Sequence, residues 1–338
     1  LGITDRVLPP FEPIRVTDDR IKVVMRRYDV GGLGLFDGIE ARGNETDFEP
    51  LLAGPMRLVA NGRPLGGSGK FTAQADHEVV YEGRAEHPAV NATTRVTTEF
   101  DGCARVELTL HPTDGSTRLN RLVLEVPLRD AMAPLWHLCY MGLRRNPTGF
   151  TPAGKGRVWQ SEGGNHPGRP HRNEQRRGNW EPYLWLGAEE RGLCWFADND
   201  AGWVPDYENN APSLTLHRNN DALTLRVHFV QKPIVLDQPR TIVFGLMASP
   251  AKPMPEQWRN ILLGNMWSYA GNVPGYRTFS WMGSQYWGAD GKFASKYPVN
   301  KDYSLISKMQ ATHLKGRVEL QPFLDAWARR NLGPDYTP

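Results

Sequence analysis

Cysteine is scarce in this chain, and its three residues, Cys103, Cys139 and Cys194, are too few for a disulfide framework. No pair of them has the spacing of a zinc site, so no metal centre is predicted. Their apolar, strand-like surroundings predict buried and unreactive thiols. No run of apolar residues approaches the ~20 needed to cross a bilayer, which excludes a helical membrane span. The formal net charge of +3 is too small to indicate nucleic acid binding.

Sequence motifs of common enzyme classes are missing as well. The chain has no GxSxG elbow, no HExxH, no P-loop and no GxGxxG after a strand. His137, His217, His228 and His313 are far apart in sequence, which is weak evidence for catalysis. The basic run at 166–177 contains Pro and Gly without helical periodicity, which is typical of a solvated loop. The sequence therefore predicts no catalytic residue and no cofactor.

Short strands bounded by Gly, Pro and Asn-rich turns dominate the first 250 residues. Asp101-Gly102 is a strong hairpin signal, and Val106, Leu108 and Leu110 alternate with polar residues, which indicates one buried and one exposed face. Residues 66–69 are predicted to be a loop. The predicted strands cover 14–16, 21–28, 35–41, 56–60, 90–100, 104–110, 122–128, 214–217, 223–230 and 240–247. This pattern predicts a mostly β fold, a large antiparallel β-sandwich.

The pattern changes near the end of the chain. A short helix at 256–263, a strand at 276–283 and helices at 302–314 and 318–331 are predicted. Leu320, Phe323, Leu324 and Trp327 form an apolar stripe on the last helix. We therefore predict two domains, a sandwich over residues 1–263 and the start of a (β/α)8 barrel over 264–338. Because a complete barrel needs ~250 residues, the barrel is expected to be truncated.

Substrate-binding candidates lie in the long loop after the predicted barrel strand. In α/β barrels the active site forms at the carboxyl ends of the strands. Trp281 and Trp287 could stack on a sugar ring, while Gln285 and Asp290 bond its hydroxyl groups. Tyr286 in the same loop is a further substrate-binding candidate. The alternative is that Trp281 fills the barrel interior and that the other residues only decorate the loop.

Residues 178–206 are unusually rich in tryptophan: Trp180, Trp185, Trp195 and Trp203. Flat aromatic faces beside polar acceptors could hold a sugar, but buried tryptophan more often packs a sandwich core. The following run Asp198-Asn199-Asp200 could bind hydroxyl groups or a cation. A turn that closes a strand explains the run equally well, and we favour that interpretation.

Three long runs carry a family resemblance: GNWEPYLWLGAEERGLCWFADNDAGWVPD, LTLRVHFVQKPIVLDQPRTIVFGLMASPAKPMP and LLAGPMRLVANG. They resemble the N-terminal domain of glycoside hydrolase family 123 over residues 9–263, and the following segment resembles the first part of its catalytic barrel. The resemblance implies an exo-acting β-N-acetylgalactosaminidase or a related retaining enzyme. In that chemistry the 2-acetamido oxygen attacks the anomeric carbon, assisted by an adjacent Asp-Glu pair.

This sequence has no Asp-Glu dipeptide, so no catalytic residue is carried over. Two functional classes follow. The chain is either the front part of a glycosidase whose catalytic pair lies beyond Pro338, or a non-catalytic carbohydrate-binding or scaffolding sandwich. A relative that acts on another hexosaminide or on an acidic polysaccharide is a third possibility. The expected partner is a glycan, and the expected location is secreted or periplasmic. Since the first residue is Leu1, a processed or missing N-terminus is also expected.

Overall fold

The computed structural model describes most of the N-terminal three quarters of the chain. The described residues are 5–44, 46–113, 115–139, 147–161 and 180–254. The chain divides into two units, Leu1–Pro253 and Met254–Pro338, and all described residues except Met254 belong to the first. The predicted boundary at residue 263 and the predicted barrel segment lie outside the described residues, so both stay predictions.

β-Strands make up nearly all of the regular structure in these ranges. They are β1 Arg15–Thr17, β2 Arg20–Val23, β3 Arg26–Val30, β4 Phe36–Ala41, β5 Glu49–Pro50, β6 Arg57–Ala60, β7 Arg63–Pro64, β8 Ser68–Gln74, β9 Glu78–Ala85, β10 Asn91–Glu99, β11 Cys103–His111, β12 Thr117–Leu119, β13 Leu122–Arg129, β14 Leu135–Cys139, β15 Thr148–Phe150, β16 Gly156–Gln160, β17 Tyr183–Gly187, β18 Gly192–Phe196, β19 Leu214–Asn219, β20 Ala222–Val230, β21 Ile234–Leu236 and β22 Arg240–Ser249. A 3-10 turn, Asp130–Met132, follows β13. No helix in the described ranges is long and apolar enough to cross a membrane.

The described strands form four sheets. A nine-stranded sheet has the order β15-β14-β17-β18-β22-β11-β10-β9-β8, and a six-stranded sheet has the order β16-β19-β20-β13-β6-β7. A five-stranded sheet runs β1 to β5 in sequence order, and β12 pairs with β21. Neighbouring strands within each sheet are antiparallel. The prediction of a mostly β, antiparallel, sandwich-like fold is confirmed for this part of the chain.

Alternating side chains explain how the sheets pack. Val106, Leu108 and Leu110 of β11 are buried, while Glu107 and Thr109 between them point to the opposite face. The buried residues of β11 belong to the same apolar cluster as those of β13 and β20 in the six-stranded sheet. The two sheets therefore share one core, and each keeps an outer face that carries polar side chains.

The Asp101-Gly102 hairpin is confirmed. Gly102 has φ of 77°, and its N–H donates to the Glu99 carbonyl at 2.8 Å, which closes a tight turn between β10 and β11. The Gly102 carbonyl accepts a hydrogen bond from the buried Tyr28 hydroxyl at 3.0 Å. This hairpin is thus tied to the five-stranded sheet.

Two local predictions are wrong. The predicted strand at 21–28 is two strands, because the chain turns at Val24 and Met25, where Met25 has φ of 64°. Both turn residues are buried and apolar, so the sequence carries no turn signal there. Ser68 and Gly69 begin β8 rather than lying in a loop. That strand is at the sheet edge and mostly exposed, so it lacks the alternation that marks a strand.

Candidate functional site

The substrate-binding residues predicted from the sequence cannot be placed. Trp281, Gln285, Tyr286, Trp287 and Asp290 all lie outside the described residues. Their role therefore stays a prediction. Candidate binding sites among the described residues lie on the surfaces of the sandwich.

Three of the four tryptophans in residues 178–206 belong to the core. Trp180, Trp195 and Trp203 are 8%, 0% and 6% exposed. Trp203 contacts both of the others edge to face, at centroid distances of 6.3 and 5.9 Å, and it packs on Phe229 at 4.8 Å. The core interpretation of these three residues is confirmed, and the sugar platform is wrong for them. Trp185 lies on the outer face, half-buried, and its indole N–H donates to the Ser249 hydroxyl at 3.1 Å.

The run Asp198-Asn199-Asp200 forms a turn, as the favoured interpretation predicted. The Asn199 side-chain oxygen accepts from the Ala201 N–H at 2.9 Å, and the Asp200 carboxylate accepts from the Tyr207 hydroxyl at 3.0 Å. The polar side chains of this run therefore form hydrogen bonds with nearby residues, as expected in a turn. No group of three or more His, Cys, Asp or Glu side chains that could hold a metal occurs in the described residues.

A groove lined mainly by polar side chains lies on the outer face of the nine-stranded sheet, with a volume of about 830 Å³. It crosses β8, β9, β10, β11 and the start of β22. Its side chains alternate with the buried core positions of the same strands, so the sandwich itself determines which face they occupy. The main lining side chains are Ser68, Lys70, Glu82, Arg84, Thr93, Arg95, Glu107, Thr109 and Thr241. We call this surface the threonine groove.

Charges in the threonine groove are largely compensated. Arg95 pairs with Glu82 at 2.6 Å across neighbouring strands. The Thr109 and Thr241 hydroxyls lie 2.9 Å apart, so one donates to the other. The groove therefore presents alternating donors and acceptors with little net charge. Such a surface suits a polyhydroxylated ligand better than a highly charged one.

Toward the end of β22, the outer face of the nine-stranded sheet carries sulfur-containing and aromatic side chains instead of hydroxyl groups. Met247 lies between Cys103 and Cys194 in register, and Trp185 and His137 continue that row. Burial raises the pKa of the Cys194 thiol to about 12 and that of the Cys103 thiol to about 11. Neither thiol is in a disulfide. Because the thiolate is the reactive form, these raised pKa values support the prediction of unreactive cysteines.

Two carboxylates face each other in a second groove of about 650 Å³ beside Phe11 and Phe100. Glu78 and Glu99 are directly opposite in the β9–β10 ladder. Burial raises the pKa of the Glu99 carboxyl, and the negative charges of Asp101 and Glu78 raise it further. Sequence reasoning missed this pair because its members are 21 positions apart and only strand pairing brings them together.

Comparison with known proteins identifies the family. Residues 14–203 match the family described as "Glycoside hydrolase 123, third domain", which covers more than half of the chain. The chain belongs to this family. The resemblance to glycoside hydrolase family 123 is thereby confirmed, although the matched domain is described as the third and not as the N-terminal one. No curated protein matches the chain.

Solved structures with a similar chain trace share little sequence identity with this protein. A GalM/aldose epimerase homologue from C. elegans is 9% identical, with a TM-score of 0.38, over 70% of this chain and 98% of that protein. A putative aldose 1-epimerase from Escherichia coli K12 is 10% identical, with a TM-score of 0.35 and the same coverage. A protein in glycosyl hydrolase family 38 from Enterococcus faecalis is 10% identical, with a TM-score of 0.43, over 75% of this chain and 32% of that one. Such low TM-scores carry no conclusion about function.

Proposed function

We propose that this sandwich is the non-catalytic part of a glycoside hydrolase of family 123 that acts on glycans. The family match over residues 14–203 carries this proposal. The absence of an Asp-Glu dipeptide from the sequence supports the non-catalytic assignment, because the family resemblance places the catalytic carboxylates in such a pair. A glycan substrate also supports a secreted or periplasmic location.

The proposed reaction is the retaining hydrolysis of a terminal β-linked N-acetylgalactosamine. The acetamido oxygen of the sugar attacks the anomeric carbon as the bond to the leaving oxygen breaks. One carboxylate stabilises the oxazolinium-like intermediate, and a second carboxylic acid protonates the leaving oxygen. Water then opens the intermediate with the original stereochemistry. In this chain no residue is assigned to either carboxylate role.

The test compares the 338-residue chain with the product of the complete reading frame that encodes it. Both are assayed on 4-nitrophenyl N-acetyl-β-D-galactosaminide and on the β-galactoside, which lacks the acetamido group. We expect hydrolysis of the first substrate by the complete product and none by the 338-residue chain. Equal cleavage of both substrates would contradict the substrate-assisted mechanism, and turnover by the chain alone would contradict the non-catalytic assignment.

The residues of the predicted barrel loop are proposed to bind substrate in the complete enzyme. Replacing Trp281 or Trp287 with Ala should weaken substrate binding by ~1–3 kcal/mol, the range for the loss of an aromatic stacking platform. Gln285, Tyr286 and Asp290 are proposed to bond the sugar hydroxyl groups. Unchanged kinetics in both tryptophan variants would remove this loop from the site.

A second candidate function is glycan binding by the sandwich itself, and the threonine groove favours it. Its volume of about 830 Å³ and its hydroxyl-rich lining fit several sugar rings. The double variant Thr93→Val, Thr109→Val should weaken retention of the chain on an immobilised neutral glycan. Thr224→Val, on the six-stranded sheet, is the matched control. Equal retention of the double variant and the wild-type chain would assign the sandwich a scaffolding role only.

A further inference from the structure

The outer face of the six-stranded sheet carries a concentration of arginine that the glycosidase assignment does not use. Arg57, Glu125, Arg226 and Thr215 are in register across β6, β13, β20 and β19. Side chains opposite one another in antiparallel strands lie on the same face, so these groups form one row. Arg121, just before β13, reaches the same surface.

Positive charge in this row exceeds negative charge. Glu125 Oε1 lies 2.8 Å from Arg226 Nε, so these two side chains form an ion pair. Among the residues that the structure describes, no carboxylate lies within ion-pair distance of Arg57, Arg121 or the nearby Arg157. One carboxylate thus faces several guanidinium groups, and these groups are mostly accessible.

A buried histidine holds one of these arginines in place. Arg121 Nη2 lies 3.2 Å from His228 Nδ1, and Thr215 Oγ1 lies 2.9 Å from His228 Nε2. Arginine has donors only, so Nδ1 is the acceptor and the proton is on Nε2, which donates to Thr215. Burial, followed by the charges of Arg121 and Arg226, lowers the pKa of His228 to about 3. The imidazole is therefore neutral at physiological pH and orients Arg121 without competing for an anion.

Arg57, Arg121 and Arg226 line a cavity of about 340 Å³, together with Glu125, Val59 and Val123. Guanidinium groups present paired N–H donors that match the oxygens of sulfate and carboxylate groups. We propose that this cavity binds the anionic substituent of a glycan, a sulfate ester or a uronate carboxylate. The arginines are the evidence for an anion site. That the anion belongs to a glycan rests on the proposed function. The substrate class is thereby narrowed to acidic glycans.

The test measures binding of the 338-residue chain to three oligosaccharides by isothermal titration calorimetry. A sulfated galactan supplies sulfate only, an oligogalacturonate supplies carboxylate only, and a galactan of the same length supplies neither. We expect binding of at least one anionic oligosaccharide about tenfold or more tighter than the neutral one. Arg57→Gln and the double variant Arg57→Gln, Arg121→Gln should each weaken that binding, the double variant by about tenfold or more. Arg15→Gln, an equal change of charge on the five-stranded sheet, should leave it unchanged.

Several outcomes overturn the proposal. They are equal affinity for neutral and anionic oligosaccharides, equal weakening by Arg15→Gln, or binding of inorganic sulfate alone, which marks an adventitious ion only. Tighter binding of a single-stranded oligonucleotide than of any glycan also overturns it. Removal of Arg121 could disturb folding, because its guanidinium contacts the buried His228. The Arg57 side chain makes no described hydrogen bond, so Arg57→Gln tests ligand binding without that effect on folding. Hydrolysis of the neutral N-acetylgalactosaminide by the complete enzyme tests the proposed function independently.

Discussion

His228 should make the stability of the sandwich depend on acid pH. Its side chain is 7% exposed and is held between Arg121 and Thr215. Burial and the neighbouring arginines lower its pKa from the ordinary 6.5 to about 3 in the folded protein. The unfolded chain therefore binds the proton more tightly than the folded chain does. The resulting stability is fully present above pH 6.5 and is lost as the pH falls from 6.5 toward 3.

The size of the effect follows from these two pKa values. Between them each pH unit changes the free energy of unfolding by about 1.4 kcal/mol. From pH 7 to pH 4.5 this one histidine should remove about 2.5 kcal/mol of stability. Carboxylates also titrate in this range, so the informative quantity is the difference between the wild-type chain and His228→Gln.

Urea unfolding followed by tryptophan fluorescence is a suitable assay, because Trp195 and Trp203 are buried in the core. The His228→Gln variant should be less stable than the wild-type chain at pH 7, and the gap should shrink by about 2.5 kcal/mol at pH 4.5. Thr215→Val is the matched control. It removes the acceptor of the Nε2 proton but keeps the buried imidazole, so it should keep the wild-type acid dependence. Parallel dependence on pH in the wild-type chain and His228→Gln would refute the reasoning.

Three further predictions concern packing, backbone and charge. Trp195→Ala should lower the free energy of unfolding by about 3–5 kcal/mol, and Trp185→Ala, on the half-buried outer face, should lower it less; equal losses in urea unfolding would contradict the core assignment. Gly102→Ala should cost about 1–3 kcal/mol, because φ is positive and a Cβ atom would meet Arg26 and Tyr28; an unchanged melting temperature would contradict this. Because burial and the charges of Asp101 and Glu78 raise the pKa of Glu99, Glu99→Gln should raise the melting temperature at pH 7 and do so less at pH 4; the opposite order would contradict this raised pKa.

Short-range patterns were enough to predict the fold class and about half of the described strands. The alternation around Val106, Leu108 and Leu110 identified β11, and Asp101-Gly102 identified its hairpin. Both signals are local, because side-chain alternation and turn conformation depend on neighbouring residues only. The split of 21–28 into two strands was missed for the same reason: a turn built from buried Val24 and Met25 has no local signature.

The candidate sites were less accessible to sequence reasoning. The sequence predicted polar faces on individual strands but did not predict the threonine groove. The groove depends on the order of strands in the sheet, which the sequence of one strand does not determine. The role of the tryptophans was open for a similar reason. Trp195 and Trp185 belong to the same segment and differ only in which face of the sheet they occupy.

The sequence by itself determined the family, the antiparallel β class and the positions of about half of the described strands, because those properties depend on long composition-specific runs and on period-two alternation. The tertiary structure alone decided which polar residues share a surface. Arg57, Arg121 and Arg226 are separated by 64 and 105 positions in the chain, yet the pairing of β6, β13 and β20 places them around one cavity. The physical reason is that hydrogen-bonded strand pairing joins distant segments at a spacing of about 5 Å, and this pairing depends on the whole folded core.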